Sequence, residues 1–382
     1  MRSVVARLLH SSSASDEQVL PKGCSVEDNP HGAPFFPSTL NKARILLIKP
    51  SSLGDIVHAF PVVSAIKAQW PASHITWLVK RQWAELVERA EGIDRVWPVE
   101  TTVRSWIRES VALRAERFDI ALDLQGLFRS ALVARFSGAP IRIGFANGRE
   151  GSPWFYTQRV PVFSRDIHAV DRYLSMAAAL GASLPETPRF EFRLLEEDMA
   201  VVRALCHGKG LSIDKPWVAM SIGARWPTKR WPLTSFAAVV DQLHMARLGP
   251  VVVIGSSEER IHTKGLRALT NSPFIDLSGE IPLRCLPVLL SKASAMITND
   301  SGPMHIAAAL GVPTIAMFGP TSATRTGPYG AGHHVLAGQV SCSPCFSRIC
   351  RHDPEIECLH IIKPAQVVEV ARPLLAARPI CR

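Results

Sequence analysis

The sequence predicts an α/β protein of two doubly wound, Rossmann-like parallel-sheet domains that face each other across a central cleft. The chain has 382 residues and is 47% hydrophobic, which is enough for two cores. Short apolar runs alternate with helical segments in both halves, as in repeated β-α-β units. One apolar strand in each half runs into a small polar turn and then a helix, at residues 45–59 and 296–305. Such turns expose backbone N–H groups at a helix N-terminus, where phosphate binds.

The first domain is predicted to span residues 41–195. Its nearly continuous apolar runs are typical of strands in a parallel sheet, and the segments between them have helical periodicity. Residues 1–40, rich in Ser, Pro, Gly and acidic residues and without periodicity, are predicted to form a disordered tail. The predicted strands are residues 43–49, 74–79, 95–99, 118–123 and 141–145, and the predicted helices are 56–70, 82–90, 103–116, 127–136 and 168–180.

The second domain is predicted to span residues 196–365, after an extended linker at 185–193, and to begin with a helix at 196–205. Helices are expected between most of its strands, so this sheet is also expected to be parallel. Residues 366–382 are predicted to hold a C-terminal helix, beginning at 365 and bending at Pro373, and the chain end. The predicted strands are residues 218–222, 251–254, 274–276, 295–298, 314–318 and 334–336.

The charge balance favours anionic partners. The formal net charge is +10 and the sequence pI is about 9.4. No zinc-finger spacing or RNA-binding signature accompanies the basic residues, so nucleic acid is not expected as a partner. An acidic membrane surface or a phosphorylated substrate fits better, with a soluble enzyme that is merely basic as the alternative. No apolar run is long enough to span a bilayer, and residues 1–10 are too short for a signal-peptide core, so a cytoplasmic location is expected.

Asp55 is the first candidate for chemistry, because it follows Gly54 at the start of a predicted helix. One interpretation is an ordinary helix cap, since a carboxylate there accepts hydrogen bonds from unpaired N–H groups. The other is a general base that removes a proton from an acceptor hydroxyl. Ser52 and Gly54 of the same turn are candidate acceptor-binding residues.

Two loops in the second half suit a nucleoside diphosphate. Residues 221–232 follow a strand and carry Arg225, Lys229 and Arg230 among tryptophans and prolines. A stiff cationic loop neutralises a departing diphosphate, although it is also consistent with a solvated basic loop. Glu259, in the helix start after the strand at 251–254, either accepts hydrogen bonds from ribose hydroxyls or stabilises the helix dipole.

The turn at residues 298–305, TNDSGPMH, is the strongest local candidate in the second half. Gly302 permits close backbone approach, and the proline after it suits a first helical position. Ser301 and the free N–H groups are candidates to hold phosphate, and Asp300 to accept from a sugar hydroxyl. A plain capped helix start is the alternative. His305 faces either the ligand or the core.

The acceptor side is expected around residues 123–126, DLQG, at the end of a strand. Gln125 of this segment and the nearby Arg129 and Arg142 are candidate contacts for an anionic acceptor, with Arg149 and Arg172 as further possibilities. Each arginine alone is also consistent with a surface ion pair.

Four cysteines form one cluster with the spacing C-x2-C-x4-C-x7-C. The cluster is open to three interpretations: a structural zinc or other metal site, disulfides, or a reduced and packed loop. Only the first pair has zinc-knuckle spacing. The four residues are Cys342, Cys345, Cys350 and Cys358.

Taken together, these residues resemble the ADP-heptose:lipopolysaccharide heptosyltransferase family, glycosyltransferase family 9. The resemblance covers about residues 43–377, and the cysteine cluster resembles one seen in many members, especially of the second-heptose type. The resemblance implies the GT-B fold for the two domains. It is carried by four motifs in order: KPSSLGDIVH at 49–58, DLQG at 123–126, KRWP at 229–232 and NDSGPMH at 299–305.

The resemblance also implies roles for individual residues. Asp55 corresponds to the proposed catalytic base, and Lys229 to the lysine that contacts the donor phosphates. Glu259 corresponds to an acidic residue near the donor ribose. The donor-binding turn and the histidine after it correspond to Asp300, Ser301, Gly302 and His305.

The activity implied is an inverting, metal-independent transfer of heptose from ADP-heptose to the anionic inner core of lipopolysaccharide, at the inner face of the inner membrane and without a cofactor. The DLQG segment resembles enzymes that add the first heptose, whereas the cysteine cluster resembles those that add the second. Two alternatives remain: a GT-B transferase with another nucleotide sugar, and a non-catalytic protein that binds a nucleotide sugar or lipid.

Overall fold

The computed structural model describes residues 37–164 and 166–376, without the side chains of residues 37–39 and 103. The predicted disordered tail lies outside the described residues except for its last four, which belong to a 3-10 turn, Pro37–Lys42. Leu40 of this turn is buried, so the prediction of disorder is wrong for residues 37–40. Both sheets belong to one compact unit that begins at Pro37. The domain boundaries near residues 41, 196 and 366 therefore stay predictions.

The first sheet has six parallel strands in the order β3-β2-β1-β4-β5-β6. Its central strand is almost wholly buried, which explains why it is a continuous apolar run. The five predicted strands are confirmed, and β6 is an additional edge strand. The strands are β1 Arg44–Ile48, β2 His74–Lys80, β3 Arg95–Val99, β4 Ile120–Asp123, β5 Ile141–Phe145 and β6 Gln158–Val160.

Six helices accompany this sheet in the described part of the chain. The single helix predicted at 56–70 is in fact two, α1 and α2, separated at Ala59. Pro61 causes the break: it has no N–H to continue the first helix, and it fits the opening turn of the second. The helices are α1 Leu53–His58, α2 Phe60–Gln69, α3 Ala84–Val87, α4 Val103–Leu113, α5 Phe128–Phe136 and α6 Ala169–Ala179.

The second sheet repeats the same topology, in the order β12-β11-β10-β7-β8-β9. All six predicted strands are confirmed. They are β7 Val218–Ser221, β8 Val251–Ile254, β9 Ile275–Asp276, β10 Ala295–Asn299, β11 Thr314–Phe318 and β12 His334–Ala337. The helices that accompany this sheet are α7 Glu196–Gly208, α8 Leu233–Met245, α9 Arg260–Leu269, α10 Leu286–Ser291, α11 Gly302–Ala309, α12 Ala323–Thr326, α13 Glu357–His360 and α14 Pro364–Ala376, with Pro373 inside α14.

Each sheet has one topological switch point, where the strand order reverses. It lies between β1 and β4 in the first sheet and between β7 and β10 in the second. Loops that leave neighbouring strands in opposite directions open a crevice at the carboxyl edge of the sheet, where ligands bind in doubly wound folds. The segments that follow these four strands are the four motifs of the sequence. No helix in the described ranges is long and apolar enough to cross a membrane.

Candidate active site between the two sheets

Asp55 lies in the first turn of α1, and its two carboxylate oxygens have different partners. Oδ2 accepts hydrogen bonds from the Ser52 backbone N–H at 3.1 Å and from the Ser52 hydroxyl at 2.7 Å. Oδ1 accepts from the Tyr173 hydroxyl at 3.1 Å and lies 3.9 Å from the Lys49 ammonium. The side chain is still 37% exposed. Asp55 therefore caps its helix with one oxygen and keeps the other for a polar, accessible site.

The electrostatics of Asp55 favour its ionised form. Burial of its surroundings opposes the charge, but the Lys49 ammonium and the Ser52 hydrogen bonds outweigh that cost and hold the pKa of the carboxyl well below its usual range. The carboxylate is thus deprotonated at neutral pH, which is the state that a proton acceptor requires.

Lys49 and Tyr173 are two residues whose part in this site the sequence did not reveal. Lys49 ends the apolar run of β1, is only 3% exposed, and lies 4.9 Å over the Tyr173 ring. Its burial lowers its pKa, while Asp55 and Asp123 oppose that shift. A lysine inside a buried strand end was a usable signal, because lysine is rarely buried without a partner. Tyr173 gave none, since it comes from α6, far along the chain.

The DLQG segment forms a turn that is fixed by Asp123. Its Oδ1 accepts from the backbone N–H groups of Gln125 and Gly126, and its Oδ2 accepts from the Tyr156 hydroxyl at 2.7 Å. Burial raises the pKa of this carboxyl. The Gln125 side-chain oxygen is buried and without a hydrogen-bond partner. Acceptor binding by Gln125 stays a prediction that this unpaired oxygen supports.

The candidate arginines differ in how their side chains are used. Arg142 donates to the backbone carbonyls of Phe155 and Ala139, and its contact with an acceptor stays a prediction. Arg129 is exposed on α5 with its guanidinium 5.4 Å over the Trp106 ring. Arg172, next to Tyr173, lies close enough to Lys49 for its charge to lower the pKa of Lys49. The Asp55 carboxylate in turn acts to raise the pKa of Arg172. Arg149 also lowers the pKa of Lys49, so Arg172 and Arg149 both lie within electrostatic range of the Asp55 site.

Lys229 is held on the opposite side of the site by Asp300. Its ammonium lies 2.5 Å from Asp300 Oδ2, which also accepts from the Thr321 hydroxyl at 2.6 Å. Asn299 fixes the loop, because its Oδ1 accepts from the Trp231 backbone N–H. The sequence placed Lys229 and Asp300 separately at the donor. The structure shows that they form one ion pair.

Glu259 lies across the carboxyl ends of β7 and β8. Its Oε2 accepts from the Ser256 backbone N–H at 2.9 Å. A Cβ atom at Gly223 or at Gly255 would clash with this carboxylate, so the two glycines make room for it. A carboxylate at this position is suited to accept hydrogen bonds from a ribose.

The N-terminus of α11 offers free backbone donors. Ser301 precedes the helix but makes no side-chain bond to its N–H groups; its hydroxyl lies 3.1 Å from that of Thr298. Unpaired N–H groups and the helix dipole together favour an anion here. Lys229 is bound to Asp300, which directly precedes this turn, so a cation stands beside the same position.

The two turns meet directly between the sheets. A Cβ at Gly54 would overlap the His305 ring, and a Cβ at Gly302 would overlap the Leu53 side chain, so α1 and α11 pack more closely than larger residues permit. The His305 ring also lies 4.3 Å from that of His58. Burial lowers the pKa of His305 to about 4, although Asp300 and Asp55 oppose the shift. His305 thus lies between the Asp55 site and the Lys229 site.

The cysteine cluster lies behind the Lys229 loop. All four thiols are free and, with Thr228, line one small cavity. Burial raises the pKa of Cys358 to about 11. Across the described residues, no group of three His, Cys, Asp or Glu side chains is placed to hold a metal ion. Cys342 and Cys345 are exposed and Cys358 is buried, and the metal, disulfide and reduced-loop interpretations all stay predictions.

The topology and the paired turns define a class: a two-sheet α/β protein of the GT-B type, with a carboxylate facing a cation and a helix N-terminus across the interface. The sequence profile of glycosyltransferase family 9 (heptosyltransferase) matches residues 106–355. The chain belongs to this family.

Individual relatives and a solved structure support this family assignment. Lipopolysaccharide heptosyltransferase 1 of Pseudomonas aeruginosa is 30% identical over 333 residues, covering 82% of this chain and 89% of the relative. Lipopolysaccharide heptosyltransferase 2 of Salmonella typhimurium is 28% identical, covering 75% of this chain and 85% of the relative. The structure of the Escherichia coli ADP-heptose lps heptosyltransferase II matches with a TM-score of 0.73 and 27% identity, covering 87% of this chain and 98% of that one.

Proposed function

We propose that this protein transfers a heptose from ADP-heptose to the inner core of lipopolysaccharide. The observation that carries the proposal is the direct packing of the α1 turn on the α11 turn, through Gly54 against His305 and Gly302 against Leu53. This contact brings an ionised carboxylate to the same site as a cation and a helix N-terminus. The similarity to lipopolysaccharide heptosyltransferases, one of them named for ADP-heptose, supports the donor and the acceptor.

Asp55 activates the acceptor. The acceptor hydroxyl loses its proton to the Asp55 carboxylate as its oxygen bonds to the anomeric carbon of the heptose. Tyr173 and Lys49 orient the Oδ1 side of this carboxylate, and Ser52 holds its Oδ2. The geometry leaves Asp55 partly accessible, as proton transfer from a bound hydroxyl requires.

Lys229 and the N-terminus of α11 bind and stabilise the leaving group. As the new bond forms, the bond between the anomeric carbon and the phosphate oxygen breaks, and ADP departs with its charge neutralised by the ammonium and the backbone N–H groups. Donor binding draws Lys229 toward the diphosphate and away from its full pairing with Asp300. Glu259 accepts from the ribose.

The base and the leaving group act on opposite faces of the sugar, so the reaction is a single displacement that inverts the anomeric carbon, as when a carboxylate activates the nucleophile in inverting glycosidases. The positive charge comes from Lys229 and the helix N-terminus, and we propose that it suffices without a metal ion. The protein works at the inner face of the inner membrane, where the net charge of +10 favours an anionic lipid-linked acceptor.

The test is a transfer assay with purified protein, ADP-heptose and a Kdo-bearing lipid acceptor. We expect a product heavier by one heptose, with inverted anomeric configuration by NMR and a rate insensitive to EDTA. Preference for a UDP- or GDP-sugar would overturn the donor, and retained configuration would overturn the mechanism. Donor binding without transfer to any core acceptor would favour a non-catalytic binding protein. The mass of the core oligosaccharide in cells lacking the protein identifies the heptose position.

A further inference from the structure

The outer surface of α4 and α5 exposes apolar side chains that the fold does not use. On α4, Ile107 is 63% exposed and Val111 is 65% exposed. These two residues are four apart, so they lie on one face of the helix. On α5, Phe128 and Phe136 are exposed as well. We call this surface, with the arginines described next, the α4–α5 face.

Arginines surround these apolar residues. Arg104 and Arg108 are exposed on the same face of α4, and Arg129 and Arg135 are exposed on α5. Every basic residue between positions 103 and 136 is arginine and none is lysine. Two acidic residues lie beside them: Glu109 pairs with Arg108, and the Glu150 carboxylate accepts from the Phe128 backbone N–H. The face therefore combines positive charge with exposed apolar surface.

The two helices form one continuous surface. The opposite side of α4 is buried through Trp106 and Leu113, so its exposed side is not held by the core. Arg129 lies over the Trp106 ring at 5.4 Å and joins α5 to α4. Trp154, 82% exposed, extends the apolar surface, because its turn Ser152–Phe155 packs on α5 and Phe155 contacts Phe128.

We propose that the α4–α5 face docks the protein on the anionic surface of a phospholipid membrane. This rests on the proposed function, in which the acceptor is lipid-linked. Aliphatic and aromatic side chains enter the boundary between headgroups and acyl chains, while arginines bind lipid phosphates and extend along the interface. An exposed surface of this kind marks an interaction site, and its charge is complementary to anionic lipid.

The face also lies on the acceptor side of the molecule. The N-terminus of α5 follows directly after the DLQG turn, which ends β4 at the carboxyl edge of the first sheet. The Arg149 backbone N–H donates to the Gly126 carbonyl, which ties the loop bearing Trp154 to the same turn. Docking through this face would therefore bring the acceptor half of the site, and not the nucleotide half, next to the membrane.

The experiment is sedimentation of the full chain with vesicles of phosphatidylcholine alone or with about 30% phosphatidylglycerol. We expect binding only to anionic vesicles, weakened by salt. The variant Arg104→Gln/Arg108→Gln should bind roughly 25-fold more weakly, at about fivefold for each arginine. The variant Ile107→Ser/Val111→Ser should bind at least about tenfold more weakly. Matched controls with equally exposed residues elsewhere, Arg189→Gln/Arg203→Gln and Met245→Ser/Ile261→Ser, should bind as the wild type.

Turnover separates this proposal from the proposed function. The face variants should transfer to a soluble, deacylated acceptor at the wild-type rate and lose activity only on acceptor embedded in vesicles. Wild-type vesicle binding by both face variants would overturn the docking proposal while leaving the transferase intact. A dimer in light scattering that the face variants dissociate would assign the face to a second copy of the chain instead. If the wild type bound anionic vesicles but transferred no heptose to either acceptor, the proposed function would be overturned and the docking proposal would stand.

Discussion

Tyr173→Phe tests whether the geometry around Asp55 matters for the reaction. The change removes one hydroxyl, which donates to Asp55 Oδ1 at 3.1 Å, and leaves Lys49 and Ser52 in place. A hydrogen bond to a charged group contributes about 1.5–3 kcal/mol, equal to roughly 10- to 150-fold in rate. Because Asp55 is 37% exposed, water can replace part of this bond, and we expect the lower end, about a tenfold fall in kcat.

The assay measures kcat and the donor KM at saturating acceptor between pH 4 and 9. Donor KM should stay unchanged, because the Tyr173 hydroxyl donates to Asp55 and its ring lies against Lys49 and Phe145, all in the first half of the chain. Lys49→Met should also move the acid limb of kcat to higher pH, since Lys49 is the main cause that lowers the pKa of Asp55. The matched control is Tyr329→Phe, which removes a Tyr–Asp hydrogen bond of 2.6 Å to Asp171, away from Asp55 and the DLQG turn, and should lower stability with kcat within about twofold. Wild-type kcat in Tyr173→Phe would show that the Tyr173 hydroxyl does not support Asp55 in catalysis.

Three further predictions follow from the interface and the nucleotide side. Gly302→Ala should lower activity, because the added methyl group overpacks against Leu53 at a cost of about 1–3 kcal/mol. Leu53→Ala in the same chain should restore part of the activity. A double-mutant cycle without coupling would contradict the close contact. The folded protein keeps His305 neutral down to about pH 4, whereas the unfolded chain takes up the proton near pH 6.5. The free energy of unfolding should therefore fall as the pH is lowered from 6.5 to 4, by up to about 1.4 kcal/mol per pH unit. His58→Leu, which removes two buried ring nitrogens without partners and a second depressed pKa, should raise the urea midpoint more at pH 5 than at pH 8; an equal change at both would remove the histidines as the cause. Glu259→Gln keeps the Ser256 hydrogen bond but loses the charge, so the donor KM should rise about fivefold with little change in kcat, and an unchanged KM would place the ribose elsewhere.

The strands were predictable because buried parallel strands are continuous apolar runs. β3, β5, β8 and β11 have the predicted bounds. β6 was missed because its three residues, Gln158–Val160, carry one buried apolar side chain; only pairing with β5 makes them a strand. The break between α1 and α2 was also misread, since the sequence marks Pro61 but not whether the chain bends there or starts again.

The site was predictable only where its residues are neighbours in the chain. The turns that carry Asp55 and Asp300 follow buried strands, so their place at the carboxyl edge could be inferred. The contact of Tyr173 with Asp55 joins α6 to α1 and depends on tertiary packing that no local pattern encodes. The same holds for the Lys229–Asp300 ion pair and for the glycines that bring α1 against α11.

The most direct test of Asp55 as the base is the single-turnover rate of Asp55→Asn with ADP-heptose already bound. We expect a fall of about 10²- to 10⁴-fold with unchanged donor affinity by calorimetry, because the base is lost while the nucleotide side is intact. Lys229→Met, measured alongside, should instead weaken donor binding. A near-wild-type rate in Asp55→Asn would contradict the assignment of Asp55 as the base.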